Sequence, residues 1–450
     1  MKSVALHNLG CKVNGYEMDV MQQILQEKGY KIVPFDKQAD IYIINTCTVT
    51  NIADQKSRQM LHRAKKRNPD AIVVAAGCYV QTGEAAIADD SSVDLVVGNN
   101  RKKDIAAILE EYLQKKENGT LSQNDKTLQN KTVIDINHTT EYEQMQLTKT
   151  REHARAYVKI QDGCNQFCSY CIIPFARGRV RSRKEEDILE EVEGIVKAGY
   201  REIVLTGIHI SSYGIDRGES ELIHLLEKLN AISGLKRIRL GSLEPGIITE
   251  EFAAKISTLS KICPHFHLSL QSGCDETLRR MNRHYTTGEY LEKVDLLRKY
   301  FTKPAITTDV IVGFPGETEE EFLCTETFLE KVRFYEMHIF KYSKRQGTRA
   351  AAMPDQVPDQ IKTERSNRLL QAEKRMSAEY RRSFIGEEVE ILFEEDKEID
   401  GDVYQIGHTA QYIKAAGRSA DRGCIMRGTL TDFLDEEIMS AEELKSVQND

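Results

Sequence analysis

Nowhere in its 450 residues does the chain carry an apolar run long enough to span a bilayer, which takes about 20 residues. The first residues, MKSVALHNLGC, also lack the long apolar core of a secretory signal. Both absences argue against membrane function and point to a cytoplasmic protein with no membrane partner. A surplus of positive charge is missing as well: 62 Lys and Arg against 70 Asp and Glu leave a formal net charge of −8. Such a balance speaks against gripping a polyanion with the whole surface, because phosphate contacts need Lys and Arg. Tandem repeats are absent. Ten cysteines spread over so long a chain, several in ligand-like positions, read as thiols kept reduced. With 29% charged and 40% hydrophobic residues, what remains is an ordinary globular composition with room for two to four domains.

One further absence is the most informative. Asp162 to Gly178 reads D-G-C-N-Q-F-C-S-Y-C-I-I-P-F-A-R-G, with Cys164, Cys168 and Cys171 in a C-x₃-C-x₂-C pattern and no fourth soft ligand nearby. A structural zinc ion takes four protein ligands and would be left unfinished. An iron–sulfur cube held by three thiolates keeps one iron open to a substrate or cofactor. Three free thiols, or half of a zinc site completed elsewhere, are the competing readings.

The N-terminal part alternates short apolar runs with helical patterns. Strands are expected at 3–8, 41–45, 71–76 and 93–97, and helices at about 15–28, 51–67, 81–88 and 101–115. Alternation of this kind implies an open parallel sheet. The first three strands each run straight into a cysteine: Cys11, Cys47 and Cys78. The carboxyl ends of parallel strands share one edge, so three distant thiols are expected on one rim. A second cluster with an open iron fits them; cysteines packed independently at strand ends are the alternative. Residues 117–149 turn polar and lose periodicity, which reads as a linker or exposed connection, with an isolated strand at Val133–Asn137.

From residue 150 strand–helix pairs return. Strands are expected at 156–160, 202–206, 236–240, 265–270, 305–312 and 334–340, with helices between them, giving a partial (βα)6 barrel. Chemistry in such a barrel sits at the carboxyl ends of its strands, where the cysteine loop, Thr206-Gly207, Glu244, Gln271 and the Gly313–Thr318 turn all fall. A charged helix at 355–383 closes the barrel, and residues 381–445 read as a small all-β barrel with an acidic surface. Basic residues cluster at Lys56–Arg67, Arg177–Lys184, Arg279–His284 and Lys341–Arg349, and several such runs suggest a localised track for a polyanion. Arg381, Arg382, Arg418, Arg422 and Arg427 are candidates for a basic face on the tail. Cys263, Cys274, Cys324 and Cys424 lack partner spacing and read as structural.

The cysteine loop, with aromatic Tyr170 before its third cysteine, resembles the signature of the radical S-adenosylmethionine (SAM) enzymes. The order of all three parts resembles the methylthiotransferases of that superfamily, and the last part resembles their TRAM domain, an RNA-binding barrel. The resemblance implies domains at 1–116, 150–380 and 381–445. It also implies two 4Fe-4S clusters, with SAM as radical source and methyl donor. Cys164, Cys168 and Cys171 would hold the radical cluster, and Cys11, Cys47 and Cys78 the auxiliary one. Tyr170 would meet the adenine of SAM, Thr206 and Gly207 its amino group and Glu244 its ribose, with Gln271 also on the cofactor. This chain lacks the common Gly-Gly-Glu form after the second barrel strand. The stretch L-G-C-K-V-N at Leu9–Asn14, followed by Glu17, resembles the branch that methylthiolates carbon 2 of N6-threonylcarbamoyladenosine at tRNA position 37. Sister branches act on isopentenyladenosine or on a ribosomal-protein aspartate; a non-catalytic RNA-binding protein with structural metal sites is the rival from another class. Implied partners are the tRNA anticodon stem-loop, an electron donor such as flavodoxin or ferredoxin, and a sulfur source.

Overall fold

The computed structural model describes residues 2–83, 87, 90–120, 132–148, 154–418 and 420–447. An N-terminal parallel sheet comprises β1 (Ser3–Asn8), β2 (Lys31–Val33), β3 (Ile41–Thr46), β4 (Ile72–Gly77) and β5 (Leu95–Val97), in the order β2-β1-β3-β4-β5. Every residue of β3 and β4 is buried, because helices cover both faces of a parallel sheet. The helices are α1 (Lys12–Glu27), α2 (Asn51–Arg67), the short α3 (Cys78–Thr82) and α4 (Ile105–Glu117). Thr50 caps α2 by accepting from the Ala53 amide, worth about 1 kcal/mol. The sequence reading missed β2, an edge strand of three residues.

The central part runs β6 (Arg155–Asp162), α5 (Ile173–Arg177), β7 (Arg181–Ser182), α6 (Glu185–Lys197), β8 (Glu202–Gly207), α7 (Leu222–Ala231), β9 (Arg237–Leu240), α8 (Glu250–Ser257), β10 (His265–His267), α9 (Asp275–Arg280), α10 (Thr287–Tyr300), β11 (Ala305–Val312), α11 (Glu319–Val332), β12 (Glu336–Lys341) and α12 (Asp359–Arg382). Six parallel strands in two sheets, β6-β8-β9 and β10-β11-β12, are joined by the bridges Ile238–Ile262 and Leu243–Leu268 into an open barrel. Capping boxes at Thr286/Glu289 and Thr318/Glu321 start α10 and α11. The strands divide their side chains by the two-residue period. Ala156, Val158 and Ile160 join the core under the helices, with Leu205, Ile238 and Val310. Arg155 and Lys159 take the other face, toward the barrel interior, where α1 packs against β6 and β8.

Two expectations for the connecting segment are corrected. Residues 136–138 form a single 3-10 turn where a strand at Val133–Asn137 was expected. Of the polar stretch, residues 121–131 and 149 lie outside the described residues, and 132–148 is a packed strap. Met145 and Leu147 enter the N-terminal core, and their backbone meets both the Tyr16 hydroxyl and the Glu191 carboxylate. Alternating apolar residues in Met145-Gln146-Leu147 carry this contact, which polar composition alone obscured.

The last part closes five strands, β13 (Glu388–Ile399), β14 (Asp402–Thr409), β15 (Lys414–Gly417), β16 (Ile425–Phe433) and β17 (Met439–Ser446), into a barrel ordered β13-β14-β15-β17-β16. The expected basic face does not form. Arg418, Arg422 and Arg427 each pair with a carboxylate of this barrel, and Arg381 is buried against the Glu436 carbonyl. No helix among the described residues is long and apolar enough to cross a membrane.

Candidate functional site

The cysteine loop leaves β6 through Gly163, whose φ of +73° and whose fit decide its identity: a Cβ there would stand 1.8 Å from the Arg179 carbonyl oxygen. Gln161 pins the loop entrance, its amide donating to the Asp162 and Gly163 carbonyls and its Oε1 accepting from the His209 amide at 2.7 Å. Farther along, the Cys164 amide donates to the Gly178 carbonyl, and the Ser169 amide and hydroxyl donate to the carbonyls of Met281 and Arg280. Phe167 is held at a left-handed φ of +48°, and the Asn282 amide donates to its carbonyl. Cys164, Cys168 and Cys171 lie close enough for their charges to act on one another. Burial raises the Cys164 and Cys171 thiols to about 11 and about 12, with the neighbouring thiols adding to the shift.

The residues expected on the cofactor surround this loop. Tyr170 packs edge-on to Phe314, at 6.5 Å between centroids, beside Met281 and Tyr342. Thr206 and Gly207 end β8, and a Cβ on Gly207 would press within 3.0 Å of the Gln161 carbonyl. Gln271 sits at φ +71°, bonded through its backbone to Asp309 and Ile311. Glu244 accepts two bonds from Arg283, at 2.9 and 2.7 Å, and lies 3.6 Å from His209. Burial alone would raise the Glu244 carboxyl; the His209 contact and the Arg283 cation bring it below its usual range. Arg283 also donates to Cys168 Sγ at 3.1 Å. It belongs to this site and not to the surface track expected for Arg279–His284.

Cys11, Cys47 and Cys78 do lie on one rim. Cys11 precedes α1, Cys47 follows β3 and Cys78 follows β4, and the register Thr46–Gly77 brings the last two level. Gly10, at φ +103°, lets the first loop approach the second: a Cβ would stand 3.0 Å from Cys47 Sγ. Asn14 donates to both the Leu9 and Thr46 carbonyls, tying two of the three cysteine loops together. Cys11 and Cys47 each feel the charges of Cys78 and Arg177, and burial pushes Cys47 up to about 11. Among the described residues, neither cysteine set has its sulfurs converging within 4.8 Å, the spacing a single ion would need; only His267, Asp309 and His338 do so.

Between the two cysteine sets stands Arg177, fully buried at the end of α5. Its Nε donates to Cys78 Sγ at 3.2 Å, its Nη2 to Asn14 Oδ1 at 2.5 Å, and both Nη groups to the Glu17 carboxylate. Lys102 and Lys159 pair with the same carboxylate, and Lys159 reaches Asp162 at 2.6 Å. Burial would raise Glu17 and Asp162, yet their cations hold Glu17 well below the carboxylate range and Asp162 at about 2. Asp162 Oδ1 in turn accepts from the Gly163 amide, one residue before Cys164. Asn99 adds a second bridge, donating to the Ala176 carbonyl at 2.7 Å and to Cys78 Sγ at 3.5 Å. The run Arg177–Arg183, expected as a surface track, is therefore mostly interior. Arg181 is buried beside Asp162, and Arg183 is buried against Glu191; Arg179 alone of the four arginines is exposed, over the Phe167 ring at 4.4 Å.

On α2, Arg58, Lys65 and Arg67 are committed to Tyr79, Asp94 and the Phe35 carbonyl, and His62 to Asp90. Lys56, Arg63 and Lys66 remain exposed with no ion pair among the described residues. Glu17, Asn14, Asn99, Gln161, Arg177 and Arg283 complete the site; in the sequence Asn14 and Glu17 stood out as part of one motif, Arg177 and Arg283 only as members of basic runs, and Asn99 and Gln161 not at all.

Comparison with known proteins bears on this geometry directly. Residues 158–329 match the radical SAM superfamily model, and residues 3–98 match an uncharacterized protein family, UPF0004. The threonylcarbamoyladenosine tRNA methylthiotransferase MtaB of Bacillus subtilis is 41% identical, covering 94% of this chain and 91% of the relative. Its namesake from Aquifex aeolicus is also 41% identical, over 88% of this chain and 94% of the relative. The tRNA-2-methylthio-N(6)-dimethylallyladenosine synthase of Thermoanaerobacter pseudethanolicus is 39% identical, with 86% and 81% covered. Among solved structures, the radical SAM methyltransferase TsrM of Kitasatospora setae superimposes with a TM-score of 0.57 at 16% identity, covering 78% of this chain and 77% of that one, a likeness of fold. Near-complete coverage at such identity, on a chain with a radical SAM domain, leaves the non-catalytic alternative without support: the chain belongs to the radical SAM tRNA methylthiotransferases.

Proposed function

We propose that this enzyme replaces the hydrogen on carbon 2 of N6-threonylcarbamoyladenosine, at tRNA position 37 beside the anticodon, with a methylthio group. The product is 2-methylthio-N6-threonylcarbamoyladenosine. The observation that carries the reading is two three-cysteine sets linked through one buried arginine, bonded to Cys78 of the first and to Asp162 at the root of the loop that carries the second, in a chain most of which aligns with two threonylcarbamoyladenosine enzymes.

Cys164, Cys168 and Cys171 would hold the 4Fe-4S cluster that radical SAM chemistry requires, and Cys11, Cys47 and Cys78 a second one. Sulfurs that feel one another's charge without closing on a single point suit a cube better than one ion. When bound, the first cluster supplies the electron that opens SAM and the second presents sulfur. The residues around them orient and shield. Tyr170, Thr206, Gly207, Glu244 and Gln271 would line the SAM site, with Glu244 fixed by Arg283 and His209. In this reading residues 1–116 carry the auxiliary cluster, 150–380 the radical chemistry, and 381–445 a TRAM-like RNA contact. We place the enzyme in the cytoplasm with its tRNA, supplied by a flavodoxin- or ferredoxin-like electron donor and a separate sulfur source.

Nucleoside analysis of tRNA from a deletion strain is the test. The methylthio derivative of threonylcarbamoyladenosine should vanish, the unthiolated form accumulate, and the wild-type gene restore the balance. Loss of the isopentenyladenosine derivative instead would move the enzyme to the sister branch. A Cys11→Ala/Cys47→Ala/Cys78→Ala variant should keep about half the iron and still cleave SAM while restoring no product. Full iron content in that variant would remove the three from the ligand set.

RNA contact is expected where cations are uncommitted. Arg63 and Lys66 on α2 offer phosphate contacts, and Arg179 over Phe167, with the exposed Phe175 beside it, offers a further cation and a stacking surface at the cluster loop. Arg63→Glu with Lys66→Glu should weaken tRNA binding and lower its salt slope by about 2. SAM cleavage without tRNA reports that the cluster is intact. An unchanged slope would mean that this helix face is merely solvated.

A further inference from the structure

The interior of the central barrel holds a polar cluster that neither cysteine set uses. Register pairs His267 with Thr307 and Asp309 with His338. His267, Asp309 and His338 thus lie on one face of three neighbouring strands. Their nitrogen and oxygen atoms fall within 4.8 Å of one another, with His267 Nε2 3.3 Å from Asp309 Oδ2 and the two imidazoles stacked at 5.8 Å. His267 Nδ1 meets the Thr307 hydroxyl at 3.1 Å, which fixes the ring, while its buried Nε2 has no hydrogen-bond partner. His338 is exposed.

The same interior receives Lys12, the first residue of α1, which packs against β6 and β8. Its surroundings come from five strands: Arg155, Arg239, His265, Asp309 and Glu336. The neighbouring arginines are already satisfied, Arg155 by Glu394 at 3.0 Å and Arg239 by Glu202 at 2.8 Å. Lys12 makes no ion pair or hydrogen bond among the described residues, and its ammonium is crowded although the residue is exposed. An exposed ammonium ringed by these side chains is open to a ligand. The lysine also stands next in the chain to Cys11.

We infer that Lys12, His267, Asp309 and His338 form the subsite that reads the substituent on N6 of the target adenine, with Lys12 taking its carboxylate. This rests on the threonylcarbamoyladenosine reading above. Carbon 2 and the carbon bearing N6 belong to the same six-membered ring and are separated by one nitrogen. Sulfur insertion would bring carbon 2 toward the auxiliary cysteines, and the N6 substituent of the same ring would then come within reach of the residue next to Cys11. A threonylcarbamoyl group presents a carboxylate, a hydroxyl, and urea N–H and C=O groups. Lys12 and the imidazole N–H groups meet its acceptors, and the Asp309 carboxylate meets its donors. An isopentenyl group presents none of these and would set hydrocarbon against the lysine and the imidazoles; a site built for polar groups rejects the analogue lacking them.

The test uses reconstituted enzyme and three tRNA substrates, carrying threonylcarbamoyladenosine, its carboxyl methyl ester, or isopentenyladenosine. Wild type should favour the free acid strongly over both others. Lys12→Met should lose about 10- to 100-fold in kcat/KM on the free acid, mostly through KM, with no further loss on the ester; Lys12→Arg should recover most of it. Iron content checks the auxiliary site. Should Lys12→Met lose iron, His338→Phe, which is remote in sequence from all six proposed cluster cysteines, carries the test with a several-fold loss confined to the free acid. Wild type that fails on the free acid overturns the substrate reading, and this inference with it. Wild type that works while both variants keep its preference for the acid over the ester overturns the inference alone. A further equivalent of zinc or iron in wild type, lost in His267→Ala, would make the cluster a metal site and likewise overturn it.

Discussion

Cys164→Ala, Cys168→Ala and Cys171→Ala are each expected to abolish 5′-deoxyadenosine release from SAM, to background, while about half the iron of the protein remains. The loop holds its three thiols by backbone bonds that do not involve the sulfurs, from the Gly163 approach to the Ser169 contacts with Met281 and Arg280. Removing one sulfur should therefore leave the loop in place and take away one of three cluster ligands. A cube on two protein thiolates is poorly held, and Arg283 would lose its sulfur partner if Cys168 were the one removed. Far-UV circular dichroism should stay unchanged, since none of the three side chains belongs to a core cluster. Wild-type 5′-deoxyadenosine from any of the three variants would sink the assignment of these ligands.

Local signals made most of this architecture legible. All six barrel strands appear within a few residues of their expected positions, because alternating apolar runs and helical faces are properties of short windows. The common rim of Cys11, Cys47 and Cys78 followed from parallel topology alone. Partners separated widely in sequence were invisible. Arg177 looked like one basic residue in an exposed run, and only the fold brings it to Glu17, 160 positions away, and to Cys78, 99 away. Arg283 was misread for the same reason: its charge suggested RNA, and its neighbours Glu244 and Cys168 assign it elsewhere. The strap at 132–148 was hidden by composition, since a few apolar residues among polar ones suffice to dock a segment. Net charge misled least where it was used least: around the site Lys102, Lys159, Arg177, Arg183 and Arg283 are spent on interior carboxylates.

Arg177→Met is expected to destabilise the protein by about 3–5 kcal/mol and to strip the auxiliary iron, whereas Arg177→Lys should fold but hold that iron weakly. Six charges meet in this hub out of contact with water: Glu17 and Asp162 against Lys102, Lys159, Arg177 and Arg181. Methionine would leave Glu17 with two cations in place of three and Asn14 without its guanidinium donor, and a buried pair broken on one side costs far more than an exposed one. Lysine keeps the charge and loses the planar fork that spans Glu17, Asn14 and Cys78 at once. The two variants thus separate the electrostatic contribution from the geometric one. Chemical denaturation of the iron-free protein measures the first. Iron content and the electron paramagnetic resonance of the auxiliary cluster, read in a Cys164→Ala/Cys168→Ala/Cys171→Ala background, measure the second. A spectrum and stability like wild type in Arg177→Met would show that the hub is dispensable. A lysine variant that folds yet loses only the auxiliary signal would show that the guanidinium sets the register between the two cysteine sites. The position of Arg177 favours that second outcome, because the strand that ends at Asp162 and Cys78 at the start of α3 are both bonded to this one side chain.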